Sequence, residues 1–289
     1  MTAVSVIAET ARDVVSVTGS DAARFLQGQI SQDVDSLAAN DSAWSLLLAP
    51  QGKVDAWFRI TRRHDDTFLI DVDAGFGSVV VNRLQRFCLR TDATFTLLSG
   101  WRMLAVRGTE VEVDVDADAE LRAEVTWPGW SGVDLLGLKL SPPAGATMAS
   151  PQQFEAARIR AGWPRMGREL TERTIPADIG GLVEVSVSFT KGCYTGQELV
   201  ARIDSRGGNV PRPLRLLEIS GCAEVPVGTA VNVDGEKVGE ITSAALDLDQ
   251  GVTVALAPVH RRIAPRSEAE VAGAPAKVLP TPASAASTA

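Results

Sequence analysis

FTKGCYTGQELVARI, residues 189–203, is the stretch on which the reading of the chain turns. It follows a run in which Val183, Val185, Val187 and Phe189 share one parity and Glu184, Ser186 and Ser188 the other, the period of a half-buried strand. It leads into a helix whose start carries a T-x-x-E capping box, with Thr195 as N-cap and Glu198 three residues on. Tyr194, before the cap, is placed to pack on Leu199. Gly192 and Gly196 bracket the turn and let the backbone bend sharply or approach a ligand closely. Cys193 is thereby expected on a strand-to-helix turn, two residues after Lys191 and two ahead of the helix N-terminus. The helix dipole and the ammonium both favour a thiolate there. An ordinary capped turn with an incidental cysteine has the same outline. The density of special residue types within eight positions argues for a site.

The chain as a whole sets bounds on what that site serves. Its 289 residues suffice for one large domain or two to three modest ones, and 45% apolar content provides real cores. No apolar run approaches a membrane span, and the N-terminus MTAVSVIAETARD lacks a basic region followed by a hydrophobic one. A cytoplasmic protein with no membrane partner is expected. Cys88, Cys193 and Cys222 form no C-x-x-C pair and leave one over in any disulfide scheme. That fits a reducing compartment and argues against a zinc or iron–sulfur centre held within one chain, so no metal site is assigned. A net charge of −8 excludes broad nucleic-acid binding, though not a local basic cleft.

Along the chain, residues 14–18 read as a strand, and Ser20 as the cap of a helix that Gly28 closes. WSLLLAP, a QGK turn (51–53) and VDAWFRI read as a strand pair, followed by a strand over 68–72. Residues 77–90 have helical periodicity, with Arg83, Arg86 and Arg90 outside, a pattern more often a solvated face than a binding surface. Strands are expected over 94–99 and 101–108. In VEVDVDADAE (111–120) the acids alternate with valines, the solvated side of a strand rather than a calcium loop. Ser150, Pro151 and Gln153 form a second helix start, and that helix stops at Gly162. Residues 214–263 alternate short strands and glycine turns, as in a small antiparallel barrel or sandwich. From Ala264 the composition turns to Pro, Ala and Ser, and a disordered tail is expected over 264–289. His64 and His260 stand apart from any cysteine or carboxylate at ligand spacing, and no hydrolase, zincin or dinucleotide motif is present.

KGCYTGQE (191–198) resembles the signature of the YgfZ group of folate-binding proteins, within the aminomethyltransferase (glycine cleavage T-protein) superfamily. Other segments extend the resemblance over roughly residues 10–263: GSDAARFLQGQISQDV (19–34), LAPQGKVDAWFRI (48–60), ARIRAGWPRMGRELTERTIPAD (157–178) and VGEITSA (238–244). It implies an α+β cloverleaf: two α+β domains and a C-terminal antiparallel β-barrel around a central folate cavity. The corresponding boundaries are 1–213 for the folate-binding region, with an inner subdomain at roughly 60–145, and 214–263 for the barrel. It further implies tetrahydrofolate or a one-carbon derivative as cofactor, and iron–sulfur enzymes or cluster-assembly proteins as partners, tRNA-modifying enzymes among the clients. A monomer is expected.

Cys193 is expected to be the reactive thiolate with Lys191 as its charge partner, and the resemblance assigns Trp57, Asp55, Tyr194, Gln197, Glu198, Arg202 and Arg206 to the folate-binding set with Arg158 and Arg160. Two positions depart from the family pattern. Where transferase relatives carry an acid in the strand after G-K, this chain has Trp57, with Asp55 on the opposite parity. Where many relatives read R-I-E-A-G, this chain reads Arg158-Ile159-Arg160-Ala161-Gly162. Both departures weaken aminomethyl transfer. Three functions follow from these residues: a folate-binding accessory protein for iron–sulfur assembly or repair, a folate-dependent one-carbon transferase, and a non-catalytic interaction module with an empty cavity.

Overall fold

A computed structural model describes residues 6–108, 119–142, 147–205 and 209–286. The chain begins with strands β1 (Val6–Thr10) and β2 (Arg12–Thr18) and helix α1 (Ala22–Gln29). Then come β3 (Ser42–Leu48), β4 (Val54–His64), β5 (Thr67–Asp73), α2 (Gly77–Phe87) and β6 (Thr94–Leu98). Strands β2 to β6 form a five-stranded antiparallel sheet in the order β3-β4-β5-β2-β6. Helix α2 lies against it through Val80 and Leu84, and α1 through Phe25 and Leu26, the apolar positions of each helical repeat.

β1 does not join its neighbour in sequence. It pairs instead with β7 (Arg102–Arg107), in a four-stranded sheet completed by β8 (Leu121–Val125) and β9 (Gly132–Gly137), in the order β1-β7-β9-β8. Strand pairing thus divides this region between Leu98 and Arg102, not at the expected inner boundary near residue 60. A one-residue link at Ala11 carries the chain from one sheet to the other. The acidic alternation over 111–120 falls mainly outside the described residues.

α3 (Pro151–Arg160) begins as its sequence announces: the Ser150 hydroxyl accepts from Gln153 N, and the Gln153 side chain returns a bond to Ser150 N. The alternating stretch after Gly181 is not a strand. It forms the short helix α4 (Leu182–Ser186), headed by Gly181 at φ 85°. Its buried residues are Leu182 and Ser186, four apart, and Phe189 is exposed, so tertiary contacts overrule the β-branched alternation. Helix α5 (Gln197–Asp204) carries the motif.

The C-terminal sheet has seven antiparallel strands: β10 (Leu214–Ser220), β11 (Ala230–Val233), β12 (Glu236–Glu240), β13 (Ser243–Asp247), β14 (Val252–Pro258), β15 (Glu268–Val271) and β16 (Ala274–Pro280). Their order is β12-β11-β15-β16-β10-β14-β13, and the sheet curls enough for Gly239 of β12 to bridge Val259 beyond β14. The expected disordered tail is corrected here. β16 lies inside this sheet between β15 and β10, burying Ala276 and Val278, and α6 (Pro282–Ala286) follows it. Its alternation is masked by small and proline residues. No helix among the described residues is long and apolar enough to cross a membrane.

Candidate functional site

The motif turn is built against two other segments that carried the resemblance. The Lys191 ammonium donates to the Ile30 carbonyl at 2.8 Å and the Gln32 carbonyl at 2.7 Å, just past the end of α1. Burial pushes this lysine down to about 8, against the upward pull of Asp33 and Asp35. Its ammonium lies 5.4 Å from the centroid of the Tyr194 ring. Tyr194 is buried, and burial pushes its phenol up to about 12. Gly196, at φ 82°, heads α5; a Cβ there would stand 2.7 Å from the Ala49 carbonyl oxygen. Gly52 of the QGK turn has φ 72°, and a Cβ on it would meet Leu199 of α5 at 2.6 Å. The two turns interlock because both lack side chains at the contact.

That geometry corrects the expected helix start. The N-cap of α5 is Gly196, without a side-chain cap bond, and Thr195 does not form the capping box. Gln197 closes the turn instead, its Oε1 accepting from Tyr194 N at 3.1 Å. Cys193 is exposed, four residues before the first helical residue, while its expected charge partner Lys191 binds backbone carbonyls.

The two sheets meet at a cavity of about 450 Å³, which no residue of the motif turn lines. Trp44, Trp130, Phe154 and Trp163 supply aromatic wall, with Arg12, Arg107, Arg158, Arg165 and Arg168 between them. Trp44 stacks on Trp57, centroids 4.4 Å apart, and Trp163 meets Trp44 edge-on at 5.0 Å. A chain of buried ion pairs runs beneath. Arg12 reaches Asp73 and Asp71 (2.7 Å to the latter), Arg59 bridges Asp71 at 2.9 Å and Asp134 at 2.8 Å, and Arg107 meets Asp134 at 2.6 Å. It ties β2, β4 and β5 of one sheet to β7 and β9 of the other. Burial pushes the Asp134 carboxyl up, and Arg107 and Arg59 more than offset it, leaving it below the usual carboxylate range. Thr10 and Arg107 line this cavity, and each has a fully buried polar atom, Thr10 Oγ1 and Arg107 Nε, without a hydrogen-bond partner among the described residues.

The sequence-derived residues fall into separate places. Of the folate set, Arg158 lines the cavity, held by Glu155 at 2.6 Å and Glu169 at 3.3 Å. Trp57 lies one ring behind it, 2% exposed, its Nε1 donating to Ser186 Oγ at 2.9 Å. Arg160 points away, to Glu218 at 2.8 Å and to Asp247, fastening α3 to the C-terminal sheet. Asp55 pairs with Arg83 at 3.1 Å, outside the cavity lining. Glu198 and Arg202 pair with each other on the exposed face of α5 at 2.6 Å. Tyr194 and Gln197 belong to the turn, and Arg206 lies outside the described residues. Glu169 gathers two further motif segments, accepting from Thr242 Oγ1 at 2.7 Å and Ser243 Oγ at 2.6 Å.

Sequence reasoning missed Thr10, Arg12, Trp44, Arg107 and Trp130. One signal was present: Arg12, Arg59 and Arg107 lie in strands dense with apolar residues, where a charge needs a partner across the sheet.

No family model matches the chain. The fold is that of the glycine cleavage aminomethyltransferases: aminomethyltransferase T from Bartonella henselae superposes with a TM-score of 0.77 at 17% identity, covering 96% of this chain and 86% of that one. Sequence comparison is more specific. A protein described as tRNA-modifying protein YgfZ from Hamiltonella defensa is 29% identical over 247 residues, covering 78% of this chain and 73% of its own length. The Edwardsiella ictaluri protein of the same name is 28% identical over 218 residues, 68% of this chain and 65% of that protein. An uncharacterized Haemophilus influenzae protein is 27% identical over 244 residues, 82% of this chain and 83% of its own. This chain is similar in sequence to the proteins named YgfZ and has the fold of aminomethyltransferase T.

Proposed function

We propose that the chain binds a reduced folate in the cavity between Trp44 and Trp130 and acts as an accessory protein for iron–sulfur enzymes, including those that modify tRNA. The observation that carries the folate reading is the cavity itself, walled by Trp44, Trp130, Phe154 and Trp163 with arginines between them. A pterin is a flat ring with hydrogen-bonding edges that suits tryptophan walls and arginine donors, and the volume falls within the range of small-molecule sites. Arg165 and Arg168 would face the carboxylate end of such a ligand. The curled C-terminal sheet is the counterpart of the expected barrel, fastened to α3 by Arg160. The role toward tRNA-modifying enzymes rests on the names of the relatives.

One-carbon transfer is the weaker reading. Asp55 and Glu198, its candidate acids, are both paired with arginines away from the cavity lining. The carboxylates that do line it, Glu9, Asp73, Asp134 and Glu155, are each held by arginine. Within this proposal the exposed Cys193 is the thiol presented to a client protein, and Lys191 fixes the turn that presents it.

Calorimetric titration with tetrahydrofolate and its 5-formyl form tests the binding, with micromolar affinity expected. Incubation with aminomethylated lipoyl carrier and tetrahydrofolate tests the reaction, with no methylene product expected above the uncatalysed rate. Absence of any folate heat would remove the accessory and transferase readings together and leave the empty interaction module.

A further inference from the structure

We propose that the solvent face of α2, continued through Arg90, is a docking surface for a protein partner that presents an acidic segment with an apolar residue. The packed face of this helix is accounted for by Val80 and Leu84. Beside the polar Ser78, Asn82 and Gln85, the outer face also exposes apolar side chains. Val79 is exposed, Phe87 is 42% exposed and Leu89 is 78% exposed, so apolar surface runs off the helix end into water. Arginines flank it. Arg83 lies 4.0 Å from the Phe87 centroid and Arg86 5.9 Å, while Arg90 is held at φ 55°, a left-handed backbone unusual for a side chain of its size.

The charge on this surface is unlike that of the rest of the chain. Residues 77–91 contain three arginines and no acid, in a chain of net charge −8. Arg83 is paired with Asp55, but Arg86 and Arg90 make no ion pair among the described residues. Arginine and aromatic residues around an exposed leucine match the composition of a protein-binding patch. The two uncompensated guanidiniums select acidic groups on the partner. A nucleic acid fits less well: two free cations neutralise few phosphates, exposed leucine gains nothing against a phosphate backbone, and the net charge repels a polyanion. None of these residues lines the folate cavity, so the inference stands without the proposed function.

Fluorescence anisotropy with a labelled helical peptide, rich in glutamate and bearing leucine at every fourth position, tests it on the full chain. Controls are the same peptide with lysine for glutamate, the same peptide with glutamine for leucine, and bulk tRNA. Binding of the glutamate–leucine peptide alone is expected, weakened at least about tenfold by R86E/R90E and separately by L89S, the loss typical of one well-placed interface residue. L89S alters an exposed side chain, and an unchanged melting temperature verifies its fold. Four results would overturn the proposal: no peptide binding by the wild type, full binding by L89S, binding of tRNA that R86E/R90E abolishes, or self-association that L89S removes.

Discussion

Trp57 Nε1 donates to Ser186 Oγ at 2.9 Å, across 129 positions of sequence, and this bond ties the aromatic wall of the cavity to the segment that leads into the motif. Ser186 is also held from the other side, its carbonyl accepting from Ser31 Oγ at 2.6 Å. Trp57 is thus a structural tryptophan.

Replacing Ser186 with alanine leaves the indole N–H of Trp57 buried without an acceptor, and an orphaned donor costs about 1–3 kcal/mol. W57F removes the donor itself, so the double variant is expected to lose less than the sum of the two single ones. A double-mutant cycle by urea denaturation reads the coupling. Strict additivity would mean that the hydrogen bond contributes nothing.

Asp71 sits between Arg12 and Arg59, all three buried. D71N keeps the shape and removes the charge, leaving two buried guanidiniums short of a partner, an effect of about 3–5 kcal/mol. The pH dependence of the neighbouring Asp134 has a definite sign. Its folded pKa is depressed, so its contribution is complete above the ordinary aspartate value of about 3.9 and is lost as pH falls through the lower folded value. Thermal melts from neutral pH downward are expected to show stability falling in that acid range, and D134N is expected to flatten this part of the profile.

The two helix starts make opposite predictions from similar sequence. S150A removes an observed capping box and is expected to cost about 1 kcal/mol. T195A removes a residue that caps nothing and is expected to be close to neutral. G196A is the damaging change, since it forces a side chain into a left-handed backbone against the Ala49 carbonyl at 2.7 Å. Chemical denaturation of the three variants gives the ranking directly.

Lys191 titrates at about 8 in the folded protein against an ordinary 10.5, so the unfolded chain holds the extra proton between those values. Stability contributed by this group therefore rises with pH across that window. Comparing the melting profiles of the wild type and K191M from about pH 7 to about pH 11 isolates it; the difference between them is expected to widen with alkaline pH. A constant difference would show that burial does not shift this lysine.

How much of this was legible in the sequence depends on what each feature needs. The Ser150 start was readable because its cap, proline and glutamine are local, whereas Thr195 offered the same letters but Gly196 is pinned by Ala49 and Leu48, contacts from far away in sequence. The alternation before the motif looked like a strand until Ser186 was needed by Trp57 and Ser31. β16 was hidden by its alanines and prolines, which read as tail composition although Ala276 and Val278 alternate into a core. The motif segments pointed to one region and the structure brings them together at Lys191, Gly52 and Glu169. Thr10 and Trp130 did not announce themselves, because they acquire meaning only when two sheets face each other, and Arg107 was marked only by its place among apolar strand residues.

Titration calorimetry with 5-formyltetrahydrofolate on the wild type and on A74W tests the central claim most directly. Ala74 is exposed at the cavity lining, so a tryptophan there fills the entrance without entering the core. The account predicts micromolar binding by the wild type, a rise in melting temperature with ligand, and at least about a tenfold loss of affinity in a normally folded A74W, about 1.4 kcal/mol. No heat from the wild type at millimolar ligand, or undiminished binding by A74W, would contradict it.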